Sequence, residues 1–319
     1  MSSLKTKHLL QTKVWGEFQE SLGKKPIYRS GDNWSYTAYY EKGFGRFGKL
    51  FTRLYVPYGP TFIEGESLSL ALRDLEKEAK KTSVDYIRVE PVCLLENSQV
   101  SEYIIGYNKR QNNSFQPDLT IIVDLDRDFE DVVADMSKTN RYLWRKASQN
   151  GLKFEISYSA DKIDTFLDMM QHTALRTNTK LAKVDYYKNL MSSLSASKNA
   201  GLAFVSHDGK QLVCTLFVDD FESKTRYYMY AGSYDEARKY SANAPLVVFL
   251  MKDAHDHGMK YFDIFGVSPK SEENHRWAGI SKFKRLFGGH EVAYMGTWEK
   301  PIKLSRYKVM NFARKFSSK

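Results

Sequence analysis

Cysteine is almost missing from this chain: two occur in 319 residues, Cys93 and Cys214, one in each half and both inside apolar runs (EPVCLL and QLVCTLFV). A thiol in such a run packs as a small hydrophobe, so neither a disulfide framework nor a cysteine nucleophile is expected. Long apolar runs are missing too. No window approaches the roughly 18 apolar residues of a membrane span, and residues 1–11 contain no apolar core of signal-peptide length, so the chain is expected in the cytoplasm. There is no Gly-x-Ser-x-Gly elbow, Walker loop or Cys-x-x-Cys, which removes several common enzyme classes. Gly43-Phe-Gly45-Arg-Phe-Gly48 fits the dinucleotide fingerprint only as a string. A fingerprint opens a helix, whereas 49–56 reads as a strand, so a glycine-rich hairpin turn is expected. His255-Asp256-His257 stands without further ligand types around it, and adjacent helical positions face different ways; an exposed helix end and no metal site are expected.

What is present begins with a duplication. Residues 72–91 (LRDLEKEAKKTSVDYIRVEP) and 247–267 (VVFLMKDAHDHGMKYFDIFGV) both read as an amphipathic helix running into a strand. At one constant offset Leu75 falls on Leu250, Ala79 on Ala254, Val84 on Met259 and Arg88 on Asp263. Upstream of each copy lies a tyrosine-rich strand closed by a glycine turn, 55–60 and 228–233. The spacing is too long for a solenoid repeat and the length suits about two domains, so the reading is two similar domains with their own cores.

Periodicity places an initial helix at 12–22 and antiparallel strands around Ile27, 34–40 and 50–56. A further strand at 121–125 leads into one helix over about 128–150, closed by Gly151, which is read as the bridge between halves. The second half continues with a strand at 153–158, a helix carrying Ile163, Phe166, Leu167, Met170 and Ala174 on one face, a helix at 186–195, and a meander over 202–205, 211–218 and 225–230. The expected fold is α/β, with mixed sheets and helices against them, and the domains are drawn at 1–150 and 151–319.

Hydrophobic content of 42% and charged content of 27% are ordinary for a soluble globular protein. The net charge of +10 is unevenly placed: Lys300, Lys303, Arg306, Lys308, Arg314, Lys315 and Lys319 lie in the last twenty residues with no acid among them. Such an excess favours a polyanion, either nucleic acid or an acidic membrane surface. In 137–151 (SKTNRYLWRKASQNG), Lys138, Arg141 and Arg145 form a stripe at i, i+3, i+7 that suits phosphates or, as plainly, a solvated helix face. In 276–289 (RWAGISKFKRLFGG), Lys282, Lys284 and Arg285 alternate with Phe283, Leu286 and Phe287. A lysine held by packed aromatics is able to stabilise a phosphate or a developing oxyanion; the bland reading is a core helix with basic outer positions.

Taken together, Tyr55-Val-Pro-Tyr58-Gly-Pro60, Lys138-Thr-Asn-Arg-Tyr-Leu-Trp-Arg145, Tyr228-Met-Tyr-Ala-Gly-Ser233, Asn243 with the helix behind it and Phe283-Lys284-Arg-Leu-Phe-Gly288 resemble the Fem (FemABX) family of aminoacyl-tRNA-dependent peptidyltransferases. The resemblance implies two tandem acetyltransferase-like (GNAT-like) domains. It implies transfer of an amino acid from aminoacyl-tRNA to an amine of the stem peptide of a UDP-linked or lipid-linked MurNAc-pentapeptide precursor, with no cofactor. It assigns Lys284 the catalytic, electrostatic role. Lys24, Lys25, Tyr58, Arg176, Tyr230 and Phe283 become substrate-binding candidates, and Lys138, Arg141, Arg145 and Lys146 tRNA-binding candidates. The second domain then holds the transfer site, the first much of the precursor cleft. This chain departs from many members in having no heptad stretch for a helical hairpin arm. The C-terminal segment, with Val309, Met310 and Phe312 among its cations, suits peripheral contact with the inner membrane surface. Two other readings compete: an acyl-CoA N-acyltransferase on the same fold, for which no pyrophosphate loop is found before either repeated helix, and a non-catalytic peptide- or nucleic-acid-binding protein.

Overall fold

The computed structural model describes residues 7–43, 49–92, 102–110 and 116–317. Cys93 and the interior of the 43–48 turn therefore lie outside the described residues; Cys214 is fully buried and burial pushes its thiol up. The chain divides into two compact units, 1–118 with 293–319, and 119–292.

The first unit is built on strands β1 (Pro26–Gly31), β2 (Trp34–Lys42), β3 (Thr52–Val56), β4 (Thr61–Phe62), β5 (Tyr86–Val89), β6 (Asn108–Lys109) and the C-terminal β14 (Trp298–Pro301), in the order β1-β2-β3-β5-β14-β6 with β4 on β2. β3 and β5 are parallel, from Arg53 opposite Tyr86 to Val56 opposite Val89, and every other pairing is antiparallel. The crossover is the helix Gly65–Lys81, whose Leu68, Ala71, Leu72, Leu75 and Ala79 are buried. That is the i, i+3, i+4, i+7 stripe of a helix with one face on a sheet, and it packs on Leu54, Val56, Ile87 and Val89.

The second unit repeats the plan. Strands β7 (Leu119–Asp124), β8 (Leu152–Ser157), β9 (Ala200–His207), β10 (Lys210–Asp220), β11 (Thr225–Ser233), β12 (Tyr261–Asp263) and β13 (His290–Ala293) run in the order β13-β7-β12-β11-β10-β9-β8. Here β11 and β12 pair in parallel, joined by the second repeated helix, Asn243–Asp256. Ala244, Leu246, Val247, Val248, Leu250, Met251 and Ala254 are all buried, so this helix is sunk in the core on most of its circumference.

The division differs from the one expected at 150/151, and strand pairing explains why. Residues 119–124 pair with β12 (Phe262 opposite Val123) and so complete the second sheet, while β14 pairs with β5 (Glu299 opposite Arg88) and returns the C-terminal segment to the first. The single bridging helix expected over 128–150 is two helices, Phe129–Ala134 and Lys138–Lys146, both in the second unit. Ser137 ends the run: its hydroxyl accepts from the Asn140 N–H at 3.2 Å as an N-cap.

Candidate functional site

In both units the parallel strands stay paired for only a few residues and then part. β11 and β12 pair from Thr225–Tyr261 to Tyr227–Asp263 and no further. The carboxyl ends of such strands are where open α/β sheets form their binding crevices. In the second unit the residues at this opening are Phe265 and Gly266 on one side and Tyr228 to Tyr230 on the other.

Lys284 closes the helix Ala278–Lys284 and is only 8% exposed. Its ammonium donates to the carbonyls of Phe265 (3.2 Å) and Gly266 (2.9 Å), which uses two of its three N–H donors. Those carbonyls point at Lys284 because of the turn that carries them. Phe265 has φ +64°, a left-handed conformation that costs a bulky residue about 1 to 3 kcal/mol and is characteristic of functional sites. The turn is pinned by Asp263, 2% exposed, whose Oδ1 accepts from the Phe265 N–H at 2.7 Å and from the Thr120 hydroxyl. Burial lowers the Lys284 ammonium to about 8, and the negative charge of Asp263 opposes the fall. Burial likewise lifts the Asp263 carboxyl to about 6. Phe283 contributes packing, its ring 5.0 Å from Phe287 in an edge-on contact against the core. Arg285 is turned aside to Glu291 and to the Ser268 carbonyl.

On β11, the Tyr230 hydroxyl meets that of Tyr186 at 3.1 Å, and the Tyr187 ring stands edge-on to Tyr230 at 5.1 Å. Burial and the neighbouring Tyr186 hold the Tyr230 phenol well above its usual range. Arg176, on the helix Ile163–Thr177, reaches the end of the same strand: it donates to Asp235 (2.8 Å) and to the Ser233 hydroxyl (3.1 Å). Tyr230 lies on β11 and Arg176 contacts its end, already committed to a carboxylate.

In the first unit, Tyr58 lines a small recess at the corresponding place, just past the ends of β3 and β5, with Glu90, Gln116, Asp118, Tyr294 and Thr297. Tyr58 is also left-handed, with φ +49°, and its hydroxyl donates to the Pro117 carbonyl at 2.7 Å. Glu90 is buried and accepts from the Tyr55 and Thr297 hydroxyls. Lys24 and Lys25 are not among the residues of this recess. The Lys24 ammonium is 2.9 Å from Glu41, which also binds Arg53, and Lys25 is simply exposed.

The basic stripe on Lys138–Lys146 does not survive as a row of equivalent cations. Arg141 donates to the carbonyls of Ala134 (2.7 Å) and Met136 (2.8 Å), satisfying acceptors left at the end of the preceding helix. Lys146 donates to Gln149, while Lys138 and Arg145 are exposed. Asn140 ties this helix to the Lys284 segment by donating to the Leu286 carbonyl at 3.1 Å. The C-terminal cations are also largely spoken for: Lys300 pairs with Glu76, Arg306 with Asp85 and Arg314 with Glu299. Raw charge therefore overstated what is offered to a polyanion. His255 and His257 sit at the end of the helix Asn243–Asp256, and among the described residues no group of three or more potential metal ligands occurs.

Sequence reading missed Asp263, Thr120, Phe265 and Tyr186. One signal was available: Asp263 is a lone carboxylate within the apolar strand Tyr-Phe-Asp-Ile-Phe, where a charge requires a partner.

Comparison with known proteins bears on this geometry. The profile described as the FemAB family matches residues 103–216 and 196–315. The lipid II:glycine glycyltransferase of Staphylococcus haemolyticus (strain JCSC1435) is 20% identical over 82% of this chain and 79% of its own length. The crystal structure of FemX superposes with a TM-score of 0.85 at 17% identity, over 96% of this chain and 95% of that one. A tandem GNAT protein from the clavulanic acid biosynthesis pathway gives 0.51 at 13% identity, over 92% of this chain and 89% of that one. Structural likeness at these identities establishes the fold: two tandem acetyltransferase-like domains.

Proposed function

This chain belongs to the FemAB family, and from that membership we propose that it is an aminoacyltransferase that forms an amide bond on an amine of a peptidoglycan-precursor stem peptide. The named relative acts on lipid II, which favours a lipid-linked acceptor, and the proposed donor is an aminoacyl-tRNA. The observation that carries the reading is Lys284, a buried cation fixed by two carbonyls at the opening between β11 and β12.

The neutral amine attacks the ester carbonyl carbon, giving a tetrahedral oxyanion. That attack forms the C–N bond; collapse restores the carbonyl, breaks the bond to the ribose oxygen, and passes the amine proton to the departing oxygen or to solvent. The free N–H of Lys284 supplies charge where the oxyanion develops, in a water-poor site where such stabilisation is strongest. Two carbonyls, a strained turn and Asp263 hold it before substrate arrives, so no reorganisation is needed at the moment of reaction. Positioning and electrostatics carry the catalysis, with no covalent intermediate. Tyr230, on the strand beside β12, and Tyr186 are the proposed walls for the acceptor peptide.

The starts of the two repeated helices suit a pyrophosphate poorly, which counts against the competing reading. Glu64 and Glu66 flank the start of Gly65–Lys81. Pro245 moreover removes one of the first-turn N–H donors that bind anions at helix starts.

The deciding experiment supplies purified protein with charged tRNA and either lipid-linked or UDP-linked precursor. Transfer of the amino acid that vanishes on RNase treatment supports the reading; RNase-insensitive transfer from an acyl-CoA sinks it.

A further inference from the structure

We propose that the outer face of the C-terminal helix Leu304–Ser317, together with Leu50 beside it, docks on an anionic lipid surface. The helix has two distinct sides. Inward, Tyr307 and Met310 are buried with Phe51 and Tyr86, and Arg314 donates to Glu299 at 2.9 Å. Outward, Leu304 is 58% exposed, Val309 61% and Phe312 66%. Lys308 is exposed between Leu304 and Phe312 in the i, i+4 row. Leu50, 65% exposed, extends the patch, because the Arg306 guanidinium donates to its carbonyl; Lys49 stands exposed next to it.

Charge selects the occupant. Residues 300–319 contain no Asp or Glu. The acids that neutralise the helix, Asp85 and Glu299, lie buried beneath it and are taken up by Arg306 and Arg314. The outer face is consequently apolar and cationic with no anion of its own. Large apolar side chains interleaved with lysines suit the boundary of a bilayer, where the former enter the acyl region and the ammonium groups remain among anionic headgroups. A second copy of this face would set Lys49 and Lys308 against like charges.

The test uses the full chain and lipid vesicles without precursor or tRNA, so its outcome is separate from that of the transfer assay. The protein should sediment with phosphatidylcholine vesicles containing phosphatidylglycerol, bind pure phosphatidylcholine weakly, and be released by salt. Lys308→Glu should weaken the binding by about fivefold or more, and the double change Val309→Glu with Phe312→Glu should abolish it; all three positions are exposed, and unchanged thermal unfolding confirms that the variants fold. In Phe312→Trp, the additional emission relative to the parent protein should shift to the blue on anionic vesicles only. Absence of binding, binding that ignores these substitutions, or emission at position 312 that does not respond to vesicles overturns the proposal. So does a self-association that the same variants abolish, because a protein partner then covers the face.

Discussion

Lys284 acquires its properties from residues about twenty positions upstream in the chain. Its charge is set by burial against the pull of Asp263, its direction by the carbonyls of Phe265 and Gly266. Replacing Lys284 by Ala should lower turnover by about 100-fold if it stabilises an oxyanion, measured as kcat in the RNase-sensitive assay; a folded variant with near-normal turnover removes it from the mechanism. Since the ammonium is the useful form and is lowered to about 8, the rate advantage of the parent over Lys284→Ala should be lost as pH rises through that value; the ratio removes the fall at low pH that protonation of the acceptor amine imposes on both. Asp263→Asn separates charge from geometry, because the amide oxygen still accepts from the Phe265 N–H and the Thr120 hydroxyl. With the facing anion gone, the alkaline limb should move to lower pH; Arg285 is engaged by Glu291 and Ser268 and does not substitute. An unmoved limb would show that Asp263 does not act on Lys284 through its charge. The Phe283-Lys284 pair was readable as a motif, but its support was not: a hydrogen bond from a left-handed backbone leaves no periodic trace in a sequence. Arg141 illustrates the converse, since its helical spacing with Lys138 and Arg145 is real and its guanidinium nonetheless serves two carbonyls.

The duplicated helix and strand were legible at the level of elements because burial repeats with the helical period, as Leu68, Leu72, Leu75 and Ala79 show. The meander was equally visible; β9 and β10 extend it at both ends, and β11 starts where expected and runs on to Ser233. The long helix at 128–150 was misread for a physical reason. Its apolar positions keep period across Ser137, and only the capping hydroxyl distinguishes one helix from two. A different local requirement governs the contact between β11 and the helix Ile163–Thr177. A Cβ on Gly232 would lie 2.5 Å from the Met170 nitrogen and 2.6 Å from the Met169 carbonyl carbon, both backbone atoms that have no rotamer to move. Gly232→Ala should therefore push the helix off the strand that carries Tyr230 and destabilise the second unit by about 1 to 3 kcal/mol, the usual range for overpacking. Calorimetry should show this as a lower Tm of that unit, and an unchanged Tm would mean that the helix has room to retreat.

For the whole molecule, the repeat announced two units and could not show where the chain crosses between them, since pairing between strands whose partners, such as Arg88 and Glu299, lie 211 residues apart is invisible to local pattern. A fragment spanning 119–293 contains all seven strands of the second sheet and should melt cooperatively. One spanning 151–319 lacks β7 and carries β14 without its partner β5, so it should aggregate or unfold without a sharp transition; the reverse result, read by circular dichroism, would restore the boundary at 150/151. The return of β14 also fixes an order of events during synthesis. Glu299, which binds Arg88 and Arg314 inside the first unit, emerges from the ribosome 211 residues after Arg88, a wait on the order of ten seconds or more at ordinary elongation rates. The second unit, contiguous in sequence, has all its strands available before the first does. The usual progression of folding from the N-terminus is thereby inverted, and the nascent first unit spends that interval with Arg88 still waiting for Glu299 and the β5 edge open, the period in which a chaperone has most to protect.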